Sequence, residues 1–87
     1  MEKRLIINAD DFGLCESVNK GIVETHTKGV LTSATIMANM PAAEQAVELA
    51  KNLPALGLGV HLNLTAGKPL CIDNSLKLIL NSQGYFV

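Results

Sequence analysis

Apolar positions fall into short runs separated by polar turns, and the period of those runs changes along the chain. Leu5-Ile6-Ile7 is a compact apolar run between a charged start and an acidic turn, and it predicts a first strand buried on both faces. Asp10 to Cys15 reads as a loop containing Gly13. From Glu16 to Lys28 the spacing becomes helical: Val18, Ile22 and Thr25 share a face, Val23 and His26 flank it, and Gly29 supplies the stop. Leu31 to Met37 predicts a second strand, followed by a loop at Ala38-Asn39-Met40. Pro41 suits the first turn of a second helix, which runs to about Asn52 and turns Ala43, Ala46, Val47, Ala50 and Leu53 inward, with Pro54 as its end. Leu56 to Leu64 predicts a third strand.

The order is β-α-β-α-β, with crossovers long enough for parallel pairing. After Thr65 the rhythm fades. A loop with Gly67 and Pro69 precedes a short expected strand at Lys77 to Leu80, a hairpin turn at Asn81-Ser82-Gln83-Gly84, and a return through Tyr85-Phe86-Val87.

Composition sharpens this picture. Of the 87 residues, 48% are apolar and 17% charged, which excludes a disordered tail. So small a chain buries a modest share of its surface, so so much apolar character suggests missing sequence or a partner chain. A homodimer is the expected way to cover it. The net charge of −1, with seven scattered basic residues, gives no footprint for nucleic acid or an anionic membrane. No stretch reaches the roughly 20 apolar residues of a membrane helix. The apolar run after the charged start is too short for a secretory leader. Cys15 and Cys71 lack metal-type spacing and read as free thiols, which makes the cytoplasm the expected compartment.

In parallel α/β proteins, ligands gather at the C-terminal ends of the strands. Asn8-Ala9-Asp10-Asp11-Phe12-Gly13 ends the first strand, and Gly59-Val60-His61-Leu62-Asn63-Leu64-Thr65 lies at the end of the third. Alternation sets Gly59, His61 and Asn63 on one face, so His61 can point the same way as the acidic pair. Two carboxylates and an imidazole on one rim suit a divalent cation. Successive strand residues diverge, so one aspartate would bind the ion while the other takes a proton from water. The plain alternatives are a turn and helix cap for Asp10-Asp11, a satisfied or solvated His61, and loop-bonding roles for Asn39 and Asn63. His26 reads as a satisfied or solvated side chain. Asp11-Phe12-Gly13 also matches the magnesium-binding tripeptide of protein kinases, but no Gly-rich loop or strand lysine precedes it, so that match is accidental.

Taken in register, Asn8-Ala9-Asp10-Asp11-Phe12-Gly13, Leu31-Thr32-Ser33-Ala34-Thr35, and Gly59 to Thr65 with Gly67-Lys68-Pro69-Leu70 resemble the YdjC-like carbohydrate deacetylases, from about Arg4 to Val87. The resemblance implies an α/β fold whose parallel β-α-β-α-β units form the N-terminal part of an incomplete (β/α) barrel, with residues 1–87 as part of a single domain. It implies removal of N-acetyl groups from chitooligosaccharides such as diacetylchitobiose, with an acetylated amino-sugar oligosaccharide as substrate. Asp11 and His61 would be metal ligands and Asp10 the general base. Magnesium comes first by that resemblance, while the oxygen and nitrogen donors also admit zinc, manganese or cobalt. Phe12 is expected in the core, with an apolar wall at the site as its other role. Barrels of this kind run to about 250 residues. The family's third ligand, a later histidine, is absent, since no His follows His61, and no general acid for the amine is evident. The 87 residues alone are therefore expected to have little or no activity. Two other classes fit in part. A truncated remnant or assembly subunit is one, and a receiver-like magnesium-binding signalling module is the other, although His61 stands where that module needs its phosphoacceptor aspartate.

Overall fold

The computed structural model describes all of Met1–Val87. Its elements run β1 (Asn8–Phe12), α1 (Glu16–Thr27), β2 (Ser33–Ile36), α2 (Ala43–Lys51), β3 (Gly57–Val60) and a 3-10 helix at Asn74–Ile79. The three strands form one parallel sheet in the order β1-β2-β3. Sequential order, with α1 against β1, α2 against β2 and the two helices touching, describes a sheet wound in one direction with its helices on one face. A receiver-like module needs a doubly wound order, in which the second strand lies outside the first. This sheet does not have it.

The core lies between the sheet and the two helices. Phe12, Ala34 and Ala46 are completely buried there, joined by Ile22, Leu31, Ala50 and Leu56. Helix α1 buries Ile22 and packs Val18 on the core as expected, but Thr25 on that face is exposed and donates its hydroxyl to the Gly21 carbonyl one turn back. On α2 the expectation for Val47 is corrected: its side chain is exposed, and Leu49 packs against the core instead. Ala46, Ala50 and Leu53 already fill that face, and Val47 lies on the solvent side of the same turn.

Strand positions also shift. Leu5 and Ile6 lie outside β1 and are exposed, so the expected strand at Leu5-Ile6-Ile7 begins instead at Asn8. Ile7 marks the junction, because its carbonyl accepts from the backbone of Thr32 and Ser33 while its N–H donates to Thr32 Oγ1. Strand β3 ends at Val60, earlier than the expected Leu64. Asn63 explains this: its Oδ1 accepts the N–H groups of Thr65 and Ala66 at 3.1 and 3.0 Å, folding the chain into a side-chain-capped turn. The expected strand at Lys77 to Leu80 is a 3-10 helix instead, started by Asp73, which accepts the Ser75 N–H at 2.7 Å. The hairpin beyond it forms as expected. Leu80 and Phe86 make an antiparallel bridge, and Asn81 donates its N–H to the Tyr85 carbonyl.

Candidate functional site

The register of β1 against β2 contains an extra residue. Asn8 pairs with Ser33 and Ala9 with Ala34, yet Phe12 pairs with Ile36, so three steps on β1 answer two on β2. The additional residue makes a bulge, and Asp11 within it has φ of +65°. That left-handed backbone is uncommon for a residue other than glycine and is found where a site requires it. Its consequence is chemical. Regular alternation from Ala9, which packs on the core, would send Asp11 inward and Phe12 outward. The bulge gives the core position to Phe12, which is completely buried, and spares Asp11 from it, while Asp10 faces outward by alternation alone. The two carboxylates go to different partners, Asp10 to Asn8 and Thr35 and Asp11 to His61.

A polar row results on the face away from the helices. Asn8, Ser33 and Gly57 are in register, as are Thr35 and Gly59, with Asp10 beside them. Asp10 Oδ1 accepts from Asn8 Nδ2 at 3.1 Å, and Thr35 Oγ1 donates to it over 3.4 Å. His61, one residue past β3, is kept in line by its N–H donating to the Ile36 carbonyl. Its Nδ1 accepts the Asp11 N–H at 3.3 Å and lies 3.5 Å from Asp11 Oδ1. An imidazole nitrogen that accepts is unprotonated and keeps its lone pair toward Asp11. The structure thus brings Asp11 and His61 together and holds Asp10 on a different set of partners, Asn8 and Thr35.

A second group, not foreseen from sequence, fixes the loop behind the bulge. Asn19 is completely buried on α1. Its Oδ1 accepts the Gly13 N–H at 2.7 Å, and its Nδ2 donates to the Ala42 carbonyl and Gln45 Oε1. Gly13 also accepts from Ala42, so the loop after Asp11 is tied to the start of α2 from both sides. Gly13 has φ of +101°, and a Cβ there would sit 3.0 Å from Ala43 Cα, so any side chain at this position is strained. A polar Asn on the apolar side of α1 was the signal available in the sequence.

Asn39 and Asn63 bond loops, as one of the plain alternatives held. Asn63 Nδ2 donates to Asn39 Oδ1 and to the Ala66 carbonyl, while Asn39 Nδ2 reaches the Ala66 and Lys68 carbonyls. They pin the segment after His61. His26 is satisfied too, its Nδ1 donating to the Leu31 carbonyl at 2.7 Å. An open, largely apolar hollow of about 410 Å³ adjoins His61, walled by Val60, Leu62, Leu64, Leu70 and Phe86.

The spacing of the donors bears on a divalent ion. An ion about 2.0–2.2 Å from an imidazole nitrogen and a carboxylate oxygen holds those donors a little over 3 Å apart, and the observed 3.5 Å lies near that span. Asp11 and His61 therefore fit as two ligands once the Nδ1 lone pair exchanges the long 3.3 Å bond from the Asp11 N–H for the ion. No three His, Cys, Asp or Glu side chains gather anywhere in the structure, so the set is a pair.

Fold and rim together define a parallel α/β protein with an acid–histidine pair at its strand ends, and comparison with known proteins gives the family. Residues 4–87 match the family described as YdjC-like protein. The chain is 61% identical over 67 residues to carbohydrate deacetylase 2 of Listeria innocua serovar 6a, covering 77% of this chain and 27% of that protein. It is 54% identical over 86 residues to a carbohydrate deacetylase of Geobacillus stearothermophilus, covering 99% and 34%. A crystal structure from Enterococcus faecalis V583, provisionally described as a cellobiose-phosphate cleavage protein, superposes with a TM-score of 0.87 at 41% identity, over 99% of this chain and 34% of that one. The chain belongs to the YdjC-like family. It spans about a third of the length of the curated relatives it matches. No helix is long and apolar enough to cross a membrane.

Proposed function

We propose that this chain supplies the base and two metal ligands of a metal-dependent carbohydrate deacetylase. The observation that carries this is the bulge, which turns Asp11 out of the core and leaves its Oδ1 3.5 Å from His61 Nδ1. Asp11 and His61 would hold a divalent cation, magnesium first, with zinc or manganese as alternatives. When bound, the ion supplies Lewis acidity to the reacting water and the acetamide carbonyl. Asp10 takes the proton from the attacking water, and its separate hydrogen bonds from Asn8 and Thr35 suit a base that is not itself a ligand. The reaction consumes one water, breaks the amide C–N bond, and leaves acetate and a free amino sugar. A third ligand and the acid that protonates the amine would come from sequence beyond the third of the relatives' length matched here. The same extra length would continue the sheet past β3, whose outer edge is unpaired, toward an incomplete barrel.

The substrate proposed is an N-acetylated chitooligosaccharide such as diacetylchitobiose. Support comes from the curated relatives named carbohydrate deacetylase at 48–61% identity. The cleavage chemistry in the Enterococcus description belongs to a relative at 41% identity and has no distinct support among these side chains. Acetate release from diacetylchitobiose, measured on the protein at its natural length with and without a chelator, tests the proposal. Release that stops with chelator and in His61→Ala supports it. No release from folded, metal-loaded protein overturns it.

A further inference from the structure

The hydrogen bonds around Asp10 have a direction, and that direction distinguishes its two oxygens. Oδ1 carries both contacts that the structure gives this carboxylate, a 3.1 Å bond from Asn8 Nδ2 and the longer 3.4 Å approach of Thr35 Oγ1. Asn8 is itself aligned from the next strand, because Ser33 Oγ donates to Asn8 Oδ1 at 2.8 Å. Asn8 and Ser33 are register partners, so the sheet sets this contact rather than a chance meeting of surface side chains. With its oxygen engaged by Ser33, the Asn8 amide must present its NH2 to Asp10. The reverse orientation would oppose two oxygens across the 3.1 Å contact. The chain Ser33 to Asn8 to Asp10 is thus polarised in one sense, each donor reaching the next acceptor.

We propose that Asn8, aligned by Ser33, is a positioning residue that holds Asp10 by Oδ1 and leaves Oδ2 as the proton-accepting oxygen. This rests on the base role given to Asp10 above. Neither Asn8 nor Ser33 hydrogen-bonds to Asp11 or His61 through its side chain, so the pair acts on the base and leaves the ligands alone. A base displaced by about 1 Å can lose on the order of 100-fold in rate, whereas a group that only supports the fold changes rate through stability. The two effects separate experimentally.

The test uses the protein at its natural length, with kcat and KM for acetate release from diacetylchitobiose, Mn2+ affinity, and NMR of the Asn8 side-chain amide. In Asn8→Ala, kcat is expected to fall on the order of 10-fold or more, with KM and Mn2+ affinity unchanged. Ser33→Ala lowers kcat by less, and Ser33→Thr restores it. Asn8 NH2 resonances are expected to shift in both Asp10→Ala and Ser33→Ala. An active wild type whose kcat is unchanged in Asn8→Ala overturns the positioning role alone, as do Asn8 resonances indifferent to Asp10→Ala. A wild type that releases no acetate overturns the deacetylase proposal and this role together.

Discussion

The helix-backed part of the molecule and the segment after β3 are built on different principles. From β1 to α2 the chain buries Phe12, Ala34 and Ala46 completely and closes its one deep polar group, Asn19, with three hydrogen bonds. After Val60 only Phe86 is buried, and order comes from side-chain amides: Asn63 and Asn39 hold Ala66 to Lys68, Asp73 starts the 3-10 helix, and Asn81 closes the last turn. Leu62, Leu70 and Ile72 stay exposed in that segment. The contrast shows how the site is divided. Asp10 and Asp11 stand on a sheet braced by a packed core, while His61 stands where that bracing ends and polar fastening begins.

The comparison predicts unequal responses to substitution. Phe12→Ala should cost most, about 3–5 kcal/mol, because it empties a completely buried site and removes the residue whose inward turn accompanies the bulge. Urea unfolding checks it, and a loss below about 1 kcal/mol would contradict the packing described. Asn19→Leu should cost about 1–3 kcal/mol by stranding the Gly13 N–H and the Ala42 carbonyl. It should also weaken divalent-cation binding, since the loop after Asp11 loses its tie to α2. Retained affinity in a destabilised variant would show that the tie serves the fold alone.

Asn39→Ala should act locally, costing about 1 kcal/mol and speeding amide exchange from Asn63 to Lys68 while β1 and β2 keep their protection. Exchange that quickens across the whole chain would erase the distinction between the two regions. The smallest effect concerns Asp73. The Ser75 backbone N–H and then its hydroxyl lower the pKa of its exposed carboxyl. A carboxyl whose folded pKa is depressed adds stability above its unfolded pKa and loses that contribution as pH falls through the folded value. Asp73→Ala should therefore flatten the acid side of the exchange profile at Asn74 to Ile79 and leave neutral-pH unfolding of the core nearly unchanged.

How much of this was readable in the sequence follows the same division. The β-α-β-α-β order came from apolar periods, since α1 and α2 each present an apolar stripe and the strands lie between them. Asp10, Asp11 and His61 stood out because two carboxylates and an imidazole fall together at strand ends, where parallel α/β proteins gather ligands. What periodicity could not supply was the bulge. Periodicity predicted a strand at Leu5-Ile6-Ile7, whereas pairing with β2 decides that the strand starts at Asn8 and that Phe12 takes the core position. Beyond Val60, side-chain amides compete with strand formation at Asn63 and Asp73, and a hydrophobic pattern carries no trace of them. Asn19 was hidden because its partners, Gly13, Ala42 and Gln45, lie on three separate parts of the chain.

The central claim is a division of labour between adjacent aspartates, Asp11 with His61 holding a cation and Asp10 standing beside it as base. Mn2+ binding followed by electron paramagnetic resonance, in the protein at its natural length, tests this most directly in Asp10→Asn, Asp11→Asn and His61→Ala. The account predicts that Asp11→Asn and His61→Ala each weaken binding by on the order of 10-fold or more, while Asp10→Asn binds nearly as well as wild type. Binding lost in Asp10→Asn and kept in Asp11→Asn would reverse the assignment and contradict the account.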